Sequence, residues 1–333
     1  MGKTAVIFPG QGSQYPGMGK DFFEEFEVAR QTYELAGTAA GLDVKTLCFT
    51  ENEKLNQTEY TQIATLATEV AMFKVAESFG LRADACAGLS LGEYAALAAA
   101  GVMAPVDYFR IIRRRGILMQ EAYPVGGGMM AVLGLSGEQV EAALQAELAE
   151  MAMQSDRADM ARDGAEGNAK RGIVTIANYN CPGQIVLSGE QAALEVAREA
   201  MMAAGAKRCI PLNVSGPFHS TLLAEAGAAL RKELEGVNLE NPAIPYVTNV
   251  DASYVTDKSH VKELLSRQIH SSVRWQQSME KMIADGFDMF VEIGPGKTLK
   301  GFLRKIDPSV TCHSIGTVEE MCQVLEQMKH EKV

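Results

Sequence analysis

Gly88-Leu89-Ser90-Leu91-Gly92 stands between the short apolar run Ala85 to Ala87 and the alanine-rich stretch Glu93 to Ala100. A Gly-x-Ser-x-Gly pentapeptide in that setting predicts a strand, a turn tight enough to strain the serine backbone, and a helix. The two glycines let strand and helix pass each other without a side-chain clash. Gly101 then ends the helix as a left-handed cap. The arrangement presents the Ser90 hydroxyl as a candidate nucleophile; the inert alternative is a crowded strand-to-helix turn that merely needs small residues.

Outward from this turn the chain alternates. Lys3 to Phe8 reads as a buried strand that runs into the Gly-rich turn Pro9-Gly10-Gln11-Gly12-Ser13-Gln14, and Tyr60 to Phe79 and Val106 to Ala122 carry helical spacing. Such alternation predicts a mainly parallel sheet with helices on its faces. After Pro124 the pattern changes. Met129 to Leu135 reads as a strand, Ser136 and Gln139 as a capping box, Ile173 to Tyr179 and Gln184 to Ser188 as strands, Gln191 to Ala204 as a helix and Arg208 to Leu212 as a strand. That order is the ferredoxin-like βαββαβ unit. Asp288 to Ile293 and Val310 to Ile315 read as further strands flanking the helix Lys297 to Lys305, and Thr317 with Glu320 opens a last helix. The expected fold is therefore α/β. A large hydrolase-like domain with a mainly parallel sheet spans 1–125 and 213–333, and a ferredoxin-like subdomain at 126–212 is inserted into it. Within the insert, Met151 to Arg171, rich in Met, Ala and alternating charge, reads as an extended surface excursion.

Composition narrows the function classes. A chain of 333 residues can bury a large core. Its six cysteines lie far apart with no Cys-x-x-Cys pair, so neither a metal site nor a disulfide framework is expected, and a reducing cytoplasm fits best. No stretch of 18 apolar residues occurs, and the apolar segment at the N-terminus is too brief for a signal peptide, which argues against a membrane protein. The net charge of −11 argues against general nucleic-acid binding.

A serine hydroxyl needs a base, and the chain holds five histidines. His330 lies in the charged C-terminal stretch, His313 in an expected strand and His260 among surface charges. His219 occurs in the turn-rich loop Asn213-Val214-Ser215-Gly216-Pro217-Phe218-His219-Ser220, where the chain leaves the small unit, and is favoured because such loops commonly build active sites. His270 is its rival. Acyl transfer also needs backbone donors for an oxyanion. The amide of Leu91, following the serine, is one candidate. Gln11, flanked by Gly10 and Gly12, is the other, since the glycines allow close approach of the backbone. A P-loop is excluded there by spacing and the missing lysine.

Phe8-Pro9-Gly10-Gln11-Gly12-Ser13-Gln14, Gly88-Leu89-Ser90-Leu91-Gly92-Glu93-Tyr94, Arg115-Gly116, Gly216-Pro217-Phe218-His219-Ser220 and Glu292-Ile293-Gly294-Pro295-Gly296 occur in that order over nearly the whole chain. Together they resemble the malonyl-CoA:acyl carrier protein transacylase family. The resemblance implies a ping-pong transfer in which Ser90 takes the malonyl group from malonyl-CoA and passes it to the pantetheine thiol of acyl carrier protein, supplying fatty acid biosynthesis. It implies His219 as base, oriented by the backbone carbonyl of Gln268, with the amides of Gln11 and Leu91 holding the oxyanion. It also singles out Arg115 from the run Arg113 to Arg115 as the receptor of the malonyl carboxylate, which a guanidinium fork binds by two parallel hydrogen bonds. Phe218, beside the histidine, goes with malonyl rather than a branched acyl group. No cofactor or metal is implied, since malonyl-CoA is a substrate and the acceptor carries the phosphopantetheine, and a monomer is expected.

The chain departs from the pattern at Leu89, where the family usually has histidine, and in the length of 151–171. An acidic carrier protein would need a local basic patch on this acidic chain, and Lys297, Lys300, Arg304 and Lys305 fall at helical spacing after Gly294-Pro295-Gly296; the alternative is a solvated helix face. Rival readings are a serine hydrolase or thioesterase of the same fold, a discrete acyltransferase serving a polyketide synthase, and a silent acyl-binding module.

Overall fold

The computed structural model describes residues 2–147, 172–214 and 216–331. The predicted excursion at 151–171 lies outside them. Six strands, β1 (Lys3–Phe8), β2 (Ala85–Gly88), β7 (Tyr246–Val247), β8 (Tyr254–Val255), β9 (Phe287–Ile293) and β10 (Thr311–Ile315), form one sheet in the order β10-β9-β1-β2-β7-β8. All neighbours pair in parallel except β7 with β8. β1 is buried from Thr4 to Phe8, and every residue of β2 is buried, as strands covered on both faces should be. The helix Thr58–Ser78 covers one face and is buried almost all round, with threonines, Gln62 and Glu69 enclosed among its apolar residues. On the other side Trp275, Met279 and Met282 of the helix Trp275–Ala284 pack with Ala5, Ile7 and Phe290.

The second sheet contains β3 (Gly127–Leu133), β4 (Val174–Cys181), β5 (Gln184–Glu190) and β6 (Arg208–Pro211), all antiparallel, in the order β4-β5-β3-β6. A helix over 137–147 follows β3, and the helix Gln191–Ala203 joins β5 to β6. Ser136 and Gln139 form the reciprocal capping box, each accepting from the other's backbone N–H. This sheet has its own core around Val132, Ile185, Leu187 and Met201. The large sheet resumes after β6, so the chain leaves it and returns once. β7 and β8, with two residues each, had no periodic sequence signal. Among the described residues no helix is long and apolar enough to cross a membrane, and all six cysteines are free.

The topology places the functional loops. β1 and β2 are parallel neighbours, so the Gly-rich turn after Phe8 and the turn after Gly88 emerge side by side at the same sheet edge, and β9 brings Gly294-Pro295-Gly296 to that edge as well. Ligands of open α/β sheets bind outside the carboxyl ends of the strands.

Candidate active site

The turn at residues 88–92 is set by steric need. A Cβ at Gly88 would fall onto the Gly92 backbone, and one at Gly92 onto the carbonyl of Phe8, so both positions exclude a side chain. Ser90 has φ 55°, a left-handed conformation that costs a non-glycine residue about 1–3 kcal/mol. Asn249 holds it there: its Oδ1 accepts from the Ser90 N–H at 2.6 Å, and its Nδ2 donates to the Gly88 carbonyl at 2.6 Å.

The structure brings Ser90 and His219 together. The Ser90 hydroxyl lies 2.8 Å from His219 Nε2, and His219 Nδ1 lies 2.8 Å from the carbonyl oxygen of Gln268. A carbonyl only accepts, so Nδ1 carries the proton and Nε2 presents a lone pair to the serine hydroxyl. His219 is buried and has φ 58°, with its N–H bonded to the Ile269 carbonyl. Burial first, and the Arg115 charge second, lower its pKa to about 4, so it is neutral and able to accept a proton at ordinary pH. His270, the rival, sits instead against Gly227, and its Nδ1 is buried without a hydrogen-bond partner among the described residues.

Of the three consecutive arginines, Arg113 pairs with Glu59 at 2.8 Å and Arg114 with Glu233 at 2.9 Å, both at the surface of the helix Pro105–Ala122. Arg115 is fully buried and points inward. Its Nη2 donates to Ser90 Oγ at 3.1 Å and to Gln268 Oε1 at 3.0 Å, and its Nη1 donates to Gln62 Oε1 at 2.7 Å. The guanidinium lies 5.4 Å from the centre of the Tyr94 ring. A buried cation whose hydrogen-bond acceptors are all neutral can receive an anionic group, and it stands at hydrogen-bond distance from Ser90 Oγ.

These side chains line one wall of a cavity of about 440 Å³ between the two sheets. Gln11, Leu91 and Phe218 line the same cavity, as do Asn178 and Asn180 of β4. Gly10 sits against Leu89, whose side chain and carbonyl lie 2.8 Å from where a Cβ would stand, so the Gly-rich turn rests on the elbow. Leu89 thus packs under that turn, an apolar contact that requires no histidine. The helix Thr298–Ile306 buries Leu299 and Phe302 toward the cavity, leaving Lys300, Arg304 and Lys305 exposed. Lys297 precedes this helix rather than lying on it, and it is paired with Glu320 at 2.6 Å.

Four contributions lay beyond the sequence reading. Gln62 faces Arg115 from the buried helix; Glu93, fully buried one turn after Ser90, accepts from Asn249 and Gln268; Asn249 anchors the elbow. The Gln268 side chain, besides its carbonyl, links Arg115, the Ser90 carbonyl and Glu93. Glu93 alone left a sequence signal, as a carboxylate in an otherwise apolar helix.

The acyl transferase domain family matches residues 5–171 and 151–326 of the chain. The malonyl CoA-acyl carrier protein transacylase of Bacillus subtilis is 37% identical over 333 residues, covering 99% of each chain. The crystal structure of the malonyl CoA-acyl carrier protein transacylase from Clostridium perfringens superposes with a TM-score of 0.89 at 36% identity, covering 99% of this chain and 98% of that one. A malonyl-transacylase in complex with its type II PKS acyl-carrier protein superposes with a TM-score of 0.88 at 36% identity, covering 98% and 99%. By its near full-length likeness to these proteins, the chain belongs to the acyl transferase domain family, among the malonyl CoA-acyl carrier protein transacylases.

Proposed function

We propose that this protein transfers the malonyl group of malonyl-CoA to the pantetheine thiol of acyl carrier protein, through a malonyl ester on Ser90, and so supplies malonyl units for fatty acid synthesis. The observation that carries this reading is the buried Arg115 guanidinium 3.1 Å from Ser90 Oγ, which joins a carboxylate receptor to a nucleophile. Ser90 Oγ attacks the thioester carbonyl while its proton passes to His219 Nε2. The carbonyl oxygen takes the negative charge, and the amides of Gln11 and Leu91 on the cavity wall are the donors for it. The C–S bond then breaks, and His219 returns the proton to the departing CoA sulfur. In the second half the carrier thiol gives its proton to His219, its sulfur attacks the ester, and Ser90 leaves with the proton restored.

The Gln268 carbonyl holds the imidazole in the tautomer this sequence requires. Arg115 aligns the malonyl carboxylate, and Phe218, buried beside the base, limits branching at the acyl chain. The acceptor supplies its own phosphopantetheine, and the mechanism draws on side chains and backbone amides alone. Lys300, Arg304 and Lys305, exposed on the helix that borders the cavity, form the docking surface for an acidic carrier; Lys297 contributes less, being engaged by Glu320.

Mass spectrometry after brief incubation with malonyl-CoA tests the reading. A malonyl adduct on Ser90 that is stable in water and discharged by holo-carrier protein is expected. Rapid release to water without a thiol acceptor would instead support the hydrolase reading, and absence of any adduct the silent binding module.

A further inference from the structure

Glu93 enters the structure as an expensive residue: a carboxyl with no exposure, on the first turn of the helix Gly92–Ala99, touching neither the cavity nor the reacting atoms. The hydrogen bonds from Gln268 and Asn249 converge on one oxygen, and the Thr248 side chain is a further polar neighbour of the carboxyl. Oε2 accepts from the Gln268 side-chain Nε2 at 2.6 Å and from the Asn249 backbone N–H at 3.1 Å. An amide side chain has two distinguishable ends. With Nε2 claimed by Glu93 and by the Ser90 carbonyl at 3.0 Å, the Gln268 amide can present only its oxygen on the other side, where Arg115 Nη2 donates to it at 3.0 Å. Reversed, the amide would set NH2 against the guanidinium and carbonyl against two acceptors, leaving both ends of the buried Gln268 amide without a partner.

We propose that Glu93 is a positioning residue for acyl-group selectivity, which acts through the Gln268 side chain to hold the Arg115 guanidinium in the orientation that receives a carboxylate. The proposal rests on the assignment of Arg115 as carboxylate receptor. Burial lifts the Glu93 carboxyl to about 7, but Oε2 remains an acceptor in either protonation state, because the proton can reside on the other oxygen. The link therefore depends on an acceptor at this point and not on a full charge. Glu93→Gln preserves that acceptor and Glu93→Leu removes it.

The test compares the rate of Ser90 acylation by malonyl-CoA with that by acetyl-CoA. Damage to the elbow slows both donors alike, whereas a displaced Arg115 penalises malonyl alone. Glu93→Leu is expected to lower the malonyl-to-acetyl ratio at least tenfold, and Glu93→Gln to stay within about threefold of the parent. Gln268→Leu keeps the carbonyl used by His219 and cuts the link, so it should lower the ratio to a similar extent. Adding Glu93→Leu to Gln268→Leu should change the ratio little further, because the two act in series. If Glu93→Leu fails to fold, Gln268→Leu and its combination with Glu93→Gln carry the test. An unchanged ratio in Glu93→Leu or Gln268→Leu, with Arg115→Met lowering it, overturns this proposal alone. An unchanged ratio in Arg115→Met overturns the receptor assignment beneath it.

Discussion

Arg115→Met probes two consequences of one buried charge. Arg115 and His219 meet through Ser90 Oγ, at 3.1 and 2.8 Å, so guanidinium and imidazole lie within about 6 Å of each other. At an effective dielectric constant of about 20, two unit charges about 6 Å apart repel by about 3 kcal/mol, or about two pH units, which sets the order of magnitude of what Arg115 takes from His219. Burial is the larger cause of the histidine's fall from 6.5 to about 4 and the Arg115 charge the second, so removing the cation returns part of that fall. Removing the cation should therefore move the acid limb of Ser90 acylation upward from near pH 4. The sign is fixed: without the neighbouring cation, imidazolium forms more readily, and the base is lost at higher pH.

The same substitution removes the proposed partner of the malonyl carboxylate. Truncating one side of a buried, hydrogen-bonded charge pair costs about 2–5 kcal/mol, or roughly 30-fold to a few thousand-fold in malonyl acylation. A neutral acetyl thioester should lose no more than about tenfold, from the missing donor to Ser90 Oγ. The assay is quenched-flow mass spectrometry of Ser90 adducts between pH 3.5 and 8, with a phosphate-free acetyl thioester reporting the acid limb and malonyl-CoA reporting selectivity. An acid limb that stays in place or moves downward refutes the electrostatic argument. Equal losses for both acyl groups refute the receptor assignment.

Gly92→Ala sets a methyl group against the Phe8 carbonyl, backbone against backbone; it should abolish Ser90 acylation and lower Tm by several degrees, and near-normal activity would mean that the elbow relaxes more readily than its packing indicates. Lys300→Glu with Arg304→Glu should raise KM for carrier protein several-fold, more so at low salt, and leave KM for malonyl-CoA nearly unchanged; a parallel rise in both would assign the patch to CoA instead. Glu69 is buried without a hydrogen-bond partner among the described residues, and burial, then Glu292, hold its carboxyl well above the usual range. Its neutral form is the one that folds, so its contribution is fully present below pH 4.5 and is lost as the pH rises and the unfolded chain ionises. Glu69→Gln should accordingly raise Tm at pH 7.5 and leave it unchanged near pH 4, and a gain of equal size at both would show that ionisation plays no part.

What the sequence disclosed follows the range of each constraint. The elbow is local: five residues carry strand end, turn and helix start, and the excluded Cβ positions at Gly88 and Gly92 are what the glycines encode. Ser136 with Gln139 is equally local, and it formed as read. The supports of the site are not local. Asn249 reaches the Ser90 N–H across 159 residues and Gln268 reaches Glu93 across 175, so no window of sequence contains both partners. Gln62 was hidden for a different reason, since the helix Thr58–Ser78 is enclosed nearly all round and presents no polar stripe against which a functional amide stands out. The role of Gln268 as orienter is carried by a backbone oxygen, which every residue possesses; only the family resemblance could name it.

The proposed nucleophile and its proposed base share one structural device. Ser90 and His219 are two of three described non-glycine residues with positive φ, and each sits on a loop of a different origin, one from β2 and one from the return out of the antiparallel sheet. Strain of about 1–3 kcal/mol at each is sustained because its amide is held elsewhere: Ser90 by Asn249, His219 by the Ile269 carbonyl. Ile269 follows Gln268, whose carbonyl orients the imidazole and whose side chain reaches Arg115 and Glu93. The helix Val261–Gln268 therefore ends where three demands meet: the backbone conformation of His219, its tautomer, and the placement of Arg115, the proposed carboxylate receptor. Substitutions there should couple acylation rate to acyl selectivity, whereas substitutions at Asn249, whose side chain bonds the elbow at Gly88 and Ser90, should act mainly on rate.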